Sequence, residues 1–277
     1  MNIRKMIKKF LFNNGYELFR RYYYDFDGND SIKKVLKLAG INFDNLVIFD
    51  IGANVGQSVD RFRTFSKTAK IHSFEPNPEV FEKLKKKQTN DKNLECYNVG
   101  IGSEIGNLKF NIQPDSGASS FYKMNIDGDA FKLSNSVEAK KNHNLTTLKQ
   151  DINFNTEIDV TVKTLDSIFK DNIPNRIDLI KIDTQGYEEE VLLGASNILK
   201  KTLIVEAEVI FSDAYNKSAS LKGIESILEK HGFILWDIPY IGKFADTAIN
   251  RINFIDVLFV NTNVLNKSSS PSTSNRK

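Results

Sequence analysis

Five side chains stand where this pattern of residues could do chemistry: Asp50, Glu75, Lys181, Asp183 and Glu206. Each falls at or near the end of a short apolar run, and open α/β sheets bind their ligands outside the carboxyl ends of such strands. Asp50 closes Val47-Ile48-Phe49 and leads into Gly52, Ala53, Asn54 and Gly56, after which Ser58 opens a stretch with apolar residues at helical spacing. A strand, a glycine turn and a helix make half of a βαβ unit, and the glycines would let a ligand come close to backbone. Glu75, with Pro76 behind it, ends the next run ~20 residues on, where ribose hydroxyls are held in dinucleotide-type sites. A carboxylate suits vicinal hydroxyls because it accepts two hydrogen bonds. Lys181 and Asp183 are two apart in Ile177–Asp183 and so share a face. A lysine inside an apolar strand is costly unless paired, so Lys181 is read as holding Asp183 ionised in a ligand cleft.

The glycine spacing narrows the ligand. A GxGxxG motif starting at Gly52 needs glycines at 54 and 57, where the chain has Asn54 and Gln57. That motif serves the approach of a pyrophosphate to a helix N-terminus. A ligand with ribose and adenine but no pyrophosphate, such as S-adenosylmethionine, fits better. The competing readings are a structural glycine turn, a nicotinamide-dependent oxidoreductase, and a non-catalytic nucleoside-binding protein.

These groups need a scaffold, and the chain supplies alternating strands and helices. Asn77 and Pro78 predict a helix start. Leu94–Ile101 reads as a third strand, and the Gly102-Ser103 loop at its carboxyl end is expected to face the adenine side, with Gly100 and Ile101 as candidate cofactor contacts. Leu108–Ile112 and Asp159–Lys163 suggest a hairpin-like pair. Between them, residues 114–156 lack periodicity, as a lid or insertion does. Thr202–Ile210 predicts a strand with Glu206 and Glu208 on one face. Phe233–Ile238 and Ile255–Val260 suggest an antiparallel final pair.

At 277 residues the chain has room for one large α/β domain with appendages. The expected division is a helical cap over 1–45, a ligand-binding domain over 46–263, and a serine-rich disordered tail over 264–277. A net charge of +3 gives no support for a nucleic-acid partner. The lone Cys96 excludes an internal disulfide framework and makes a cytoplasmic setting the default. The three histidines lack metal-ligand spacing, and no metal is expected. Ile3, Met6, Ile7, Phe10 and Leu11 share a helical face flanked by lysines and arginine, which suits either packing on the domain or peripheral contact with an anionic membrane.

Taken together, Asp50–Gly56, Phe74–Pro78, Ile180–Glu188 and Val205-Glu206 resemble the FkbM family of methyltransferases over roughly residues 46–262. The resemblance implies a class I methyltransferase fold, Rossmann-like and doubly wound, with seven mostly parallel strands and the last antiparallel. It also implies S-adenosylmethionine as cofactor and transfer to oxygen, commonly on a sugar or natural-product hydroxyl. Asp50, Gly52 and Glu75 match the cofactor positions. Methyl transfer to a hydroxyl needs in-line positioning and a group to take the proton. Asp183 and Glu206 are the candidate bases, Lys181 tunes them, and Ser119, Ser120 and Gln185 are candidate substrate contacts. Two carboxylates on one cleft could instead hold a divalent cation.

Overall fold

Strand β1 (Val47–Ile51) lies near the middle of a seven-stranded sheet with β2 (Lys70–Phe74), β3 (Leu94–Tyr97), β7 (Ile177–Ile182), β8 (Thr202–Ile210), β9 (Phe233–Lys243) and β10 (Ile252–Asn261), in the order β3-β2-β1-β7-β8-β10-β9. The computed structural model describes residues 29–134, 153–244 and 251–269. β1 pairs in parallel with β2 and β7, and β7 with β8. β10 runs antiparallel between β8 and β9. The order reverses between β1 and β7, which opens a crevice at the strand ends.

Helices α1 (Asn29–Leu38), α2 (Gln57–Arg63), α3 (Pro78–Gln88), α4 (Asp129–Ser134), α5 (Leu165–Ile168), α6 (Glu188–Leu193), α7 (Ser196–Leu199), α8 (Leu221–Glu229) and α9 (Thr262–Ser269) complete the described elements. Alternate residues of the central strands enter two cores on opposite faces. Phe49, Ile51, Ile180 and Ile182 join Leu192, Ile224 and Leu228 in one. Ile48, Leu179, Ile204 and Leu258 join Ile32, Leu36, Val59 and Phe62 in the other.

Two expectations need correction. The predicted strand Leu94–Ile101 is two strands. Asn98 Nδ2 donates to the carbonyls of Glu75 and Pro76 at 2.9 and 3.1 Å, and the chain turns out of the sheet there. Its remainder, β4 (Gly100–Ile101), pairs with β6 (Thr156–Lys163) in a separate small sheet. β6 also pairs with β5 (Gly106–Ile112), which is the anticipated antiparallel pair.

The tail does not begin at 264. Asn261 Oδ1 accepts from the backbone N–H groups of Asn263 and Val264 and so starts α9, where Leu265 is buried. An N-terminal cap of this kind satisfies donors that a helix start leaves open. Residues 270–277 lie outside the described part. So do 1–28, with the proposed basic face, and the middle of the 114–156 segment. The rest of that segment is ordered: Asp115 Oδ1 accepts from Gly117 N–H to cap a short 3-10 turn (Ser116–Ala118). Among the described residues no helix is long and apolar enough to cross a membrane.

Candidate active site

The carboxyl ends of β1, β2 and β7 enclose a cavity of about 250 Å³. Its floor is Ile51 to Asn54, its rim Glu75 and Pro76, and its far wall Lys181, Asp183, Thr184 and Gln185. Phe74, Val99, Ile101, Phe110 and Phe121 give it apolar sides. Gly117 and Ser119 come over it from the ordered part of the expected lid, whose Ser116 donates to Asn54 Oδ1 at 2.9 Å.

The glycine turn is required here, for a reason different from the one expected. At Gly52, φ is +79°, and a Cβ would stand 1.9 Å from the carbonyl oxygen of Asp183. The missing side chain makes room for the end of β7, which hydrogen-bonds back through Asp183 N–H to Ile51 O at 3.0 Å. Gly56, with φ +88°, lies outside the cavity wall, where a Cβ would press on Lys87 and Leu84 of α3. Gly100 lines the cavity, and its bareness admits the Phe121 ring.

Glu75 is buried at 6% exposure, with Oε2 accepting from Asn54 N–H at 3.0 Å and Oε1 from Asn77 N–H at 2.9 Å. These bonds fix the carboxylate at the rim, and each oxygen keeps a second lone pair for a ligand hydroxyl. Burial pushes its pKa up to about 7, against the pull of those two N–H groups. A diol donating to both oxygens would favour the ionised form.

Asp50 is placed behind the wall rather than in it. It is fully buried, beside Lys181 in the β1–β7 register, and Ser73 Oγ donates to it at a long 3.4 Å. Burial raises its pKa, which Lys181 and Arg61 oppose. Its charge therefore supports Lys181 from below. Lys181 Nζ lies 3.0 Å from Asp183 Oδ2. Burial alone would lower the lysine, but Asp183 and Asp50 hold it above its usual value. Asp183 is held below the usual carboxylate range, because Lys181 and a hydrogen bond from Gln185 outweigh the upward push of burial. The expected pairing is thus present, and it favours the ionised form of Asp183.

Glu206 is where the site departs most from expectation. It neighbours Lys181 in the β7–β8 register, yet it does not line the first cavity. Arg61 of α2 grips it with two parallel hydrogen bonds, the longer of them 2.8 Å from Nη1 to Oε1. Such a fork engages both carboxylate oxygens, so the geometry assigns Glu206 to an ion pair. It lines a second cavity of about 170 Å³, with Glu208, Tyr240, Phe254 and Asp256, that shares Lys181 and Asp183 with the first. Ser120 also misses the first cavity; its Oγ donates to Gln185 O at 2.8 Å and fastens the lid segment to the loop after β7.

Sequence reasoning missed Phe74, Val99, Phe110, Ser116, Gly117 and Phe121 in the cavity wall, and Glu208 and Asp256 in the second. The Gly117-Ala118-Ser119-Ser120-Phe121 run was a usable signal for the lid residues. His72 is buried against Tyr97, 2.9 Å from Nδ1 to the hydroxyl, and burial takes its pKa down to about 4. Among the described residues no group of three or more histidines, cysteines or carboxylates is arranged to hold a metal ion.

The chain is similar in sequence to known methyltransferases. The 2-O-methyltransferase NoeI of Sinorhizobium fredii is 29% identical over 184 residues, which is 66% of this chain and 70% of NoeI. The hexuronic acid methyltransferase AglP of Haloferax volcanii is 24% identical over 59% of this chain and 55% of AglP. Among solved structures, the magnesium protoporphyrin IX methyltransferase of Synechocystis aligns over 95% of this chain and 98% of its own at 11% identity, with a TM-score of 0.43. A likeness that distant adds nothing to the topology already described. The methyltransferase FkbM domain model matches residues 50–235, a span that takes in the whole lining of the first cavity and ends in β9, before Tyr240, Phe254 and Asp256 of the second. This chain belongs to the FkbM family of S-adenosylmethionine-dependent methyltransferases.

Proposed function

We propose that the enzyme methylates a hydroxyl group of a sugar, glycan or similar polyhydroxylated small molecule, with Asp183 as the base. One observation carries this reading: Asp183, ionised and aimed by two donors, stands in the wall common to the cofactor cavity and the second cavity. The relatives' names support an oxygen acceptor on a sugar, since NoeI is a 2-O-methyltransferase and AglP acts on a hexuronic acid.

The residues of the first cavity fit the cofactor: a carboxylate with spare lone pairs at the rim, apolar walls of ring size, and a passage to an anionic side chain. When bound, S-adenosylmethionine supplies a methyl group on a sulfonium that is already a good leaving group. Glu75 would hold the ribose hydroxyls, and Phe74, Val99, Ile101 and Phe121 would exclude water from the adenine and sulfonium ends. The acceptor hydroxyl would approach from the second cavity. Asp183 would take the proton of the acceptor hydroxyl, and Lys181 would keep its carboxylate ionised until then; the cofactor would supply the methyl carbon, its sulfur keeping the electron pair of the broken carbon–sulfur bond. Catalysis of this kind is mostly positioning, with proton transfer to a placed base contributing about 10²–10⁴-fold.

The test is transfer of an isotopically labelled methyl group from S-adenosylmethionine to a panel of monosaccharides and oligosaccharides, with the new linkage read by NMR. An O-methyl product whose formation falls about 10²–10⁴-fold in Asp183→Asn is expected. Transfer to nitrogen or carbon, or full activity in Asp183→Asn, would overturn the proposal.

A further inference from the structure

Gln185 stands at a backbone position that side-chain-bearing residues rarely adopt: φ is +56°, and Gly186 follows at +99°. The loop's shape does not depend on the Gln185 side chain. Glu188, 1% exposed, accepts from Thr184 N–H at 2.9 Å, Thr184 Oγ1 at 3.0 Å and Gly186 N–H at 3.1 Å, and Ser120 secures the Gln185 carbonyl. Residues held in such conformations cluster at functional sites, where the surroundings over-determine them.

The side chain is fully engaged. Its Nε2 donates to Asp183 Oδ1 at 2.9 Å and to Glu208 Oε2 at 2.7 Å, and Tyr215 Oη lies 3.0 Å from its Oε1. The nitrogen, with two N–H groups, faces the two carboxylates, and the oxygen faces the phenol, whose single proton it shares with the Ala118 carbonyl at 2.8 Å. Asp183 Oδ2 is taken by Lys181. The two donors therefore fix the plane of the carboxylate.

We infer that Gln185 is a positioning residue, which aims Asp183 at the acceptor and keeps it anionic by placing an uncharged donor between it and Glu208. This rests on the reading of Asp183 as the base. The need for an uncharged bridge follows from the surrounding groups. Toward Asp183 face Lys181 from β7, Asp50 from β1, Arg61 from α2, Glu208 from β8, Asp256 from β10 and Tyr215 from the loop after β8, while Glu206 of β8 lies beside Lys181 and Glu188 of α6 acts on Glu208 and Tyr215. Glu208 and Asp256 are opposite each other in the β8–β10 register, so carboxyl groups crowd the second-cavity side, and burial together with the neighbouring acids raises the pKa of both. A lysine at 185 would compete with Lys181, and a glutamate would add one more negative charge. An amide donates to both neighbours and changes neither.

The decisive measurement is the titration of Asp183 itself, followed by carboxyl ¹³C NMR in aspartate-labelled protein and assigned by its loss in Asp183→Asn. In Gln185→Met, which keeps the length but has no donor, the Asp183 midpoint is expected to rise by about one pH unit. In Gln185→Glu it is expected to rise further. An unmoved midpoint in the folded methionine variant, with only a lower melting temperature, would show a merely structural role and overturn the inference. Should the methionine variant not fold, Gln185→Glu keeps the length and an acceptor for Tyr215, and an unmoved midpoint there overturns it equally. Binding of S-adenosylhomocysteine to the unmodified protein, measured by calorimetry alongside, separates the two readings. Its absence would count against the cofactor assignment, while the Asp183 titration would still report on Gln185.

Discussion

The two cavities that meet at Asp183 are built from different materials. The cofactor side is made of backbone and apolar rings: Gly52 against the Asp183 carbonyl, Glu75 pinned by two N–H groups, and Phe74, Val99 and Phe121 along the sides. The second side is made of charged side chains drawn from four elements, with Arg61 on Glu206, Lys181 on Asp183, and Glu208 opposite Asp256. A cofactor common to a whole family can be met by fixed backbone. An acceptor that differs from enzyme to enzyme is met by side chains, which can change without disturbing the strands beneath them.

Three substitutions would break or sharpen this contrast. The largest stability effect is expected at Arg61→Met, because Glu206 is 3% exposed and would be left as an uncompensated buried charge. Removing one partner of a buried pair costs about 3–5 kcal/mol, so chemical denaturation should show a loss of this order. A loss well below 1 kcal/mol would mean that the pair is solvated and the contrast overstated. Glu75→Gln comes next. Its amide must turn an NH₂ group toward either Asn54 N–H or Asn77 N–H, and it loses the charged acceptor for the ribose. Hydrogen bonds to charged groups contribute about 1.5–3 kcal/mol each, so calorimetry should find S-adenosylhomocysteine bound roughly 10–100-fold more weakly.

The third effect, at Asp256→Asn, concerns pH. Burial, with Glu206 and Asp183 nearby, raises the Asp256 pKa from 3.8 to about 7. The folded state then holds a proton that the unfolded chain has released, so this group's contribution is full below the unfolded value and is lost as pH rises through about 7. Asp256→Asn should flatten the decline in melting temperature between roughly pH 4 and pH 7. An identical pH profile in the variant would show that the second cavity imposes no electrostatic cost on Asp256.

The same contrast explains how much could be read in the sequence. The cofactor side was legible because its parts are local: a strand, its acidic end and the glycines follow one another within Val47–Gly56, and Glu75 recurs at the end of the next strand. The Lys181–Asp183 pair was legible because a strand's period of two puts both on one face. Glu206 could be read equally as a base or as half of a strand-end salt bridge, because its partner Arg61 lies on a helix 145 positions away in the chain. Asp256 escaped notice for a similar reason, since only the β8–β10 register brings it opposite Glu208. Phe121 and Ser116 lay in a stretch with no period to place them. The break at Asn98 turned on two side-chain hydrogen bonds that apolar patterning does not encode.

The lid segment has a kinetic consequence. It is tied to the glycine turn through Ser116 and Asn54, to the loop after β7 through Ser120 and Gln185, and to Tyr215 through the carbonyl of Ala118 at 2.8 Å. A strap fastened at three points over a cavity is expected to release some of them before a spent cofactor leaves. Opening steps of this kind limit turnover in many enzymes, so the rate of the whole cycle is expected to depend on how often this strap lets go as well as on how fast the methyl group moves.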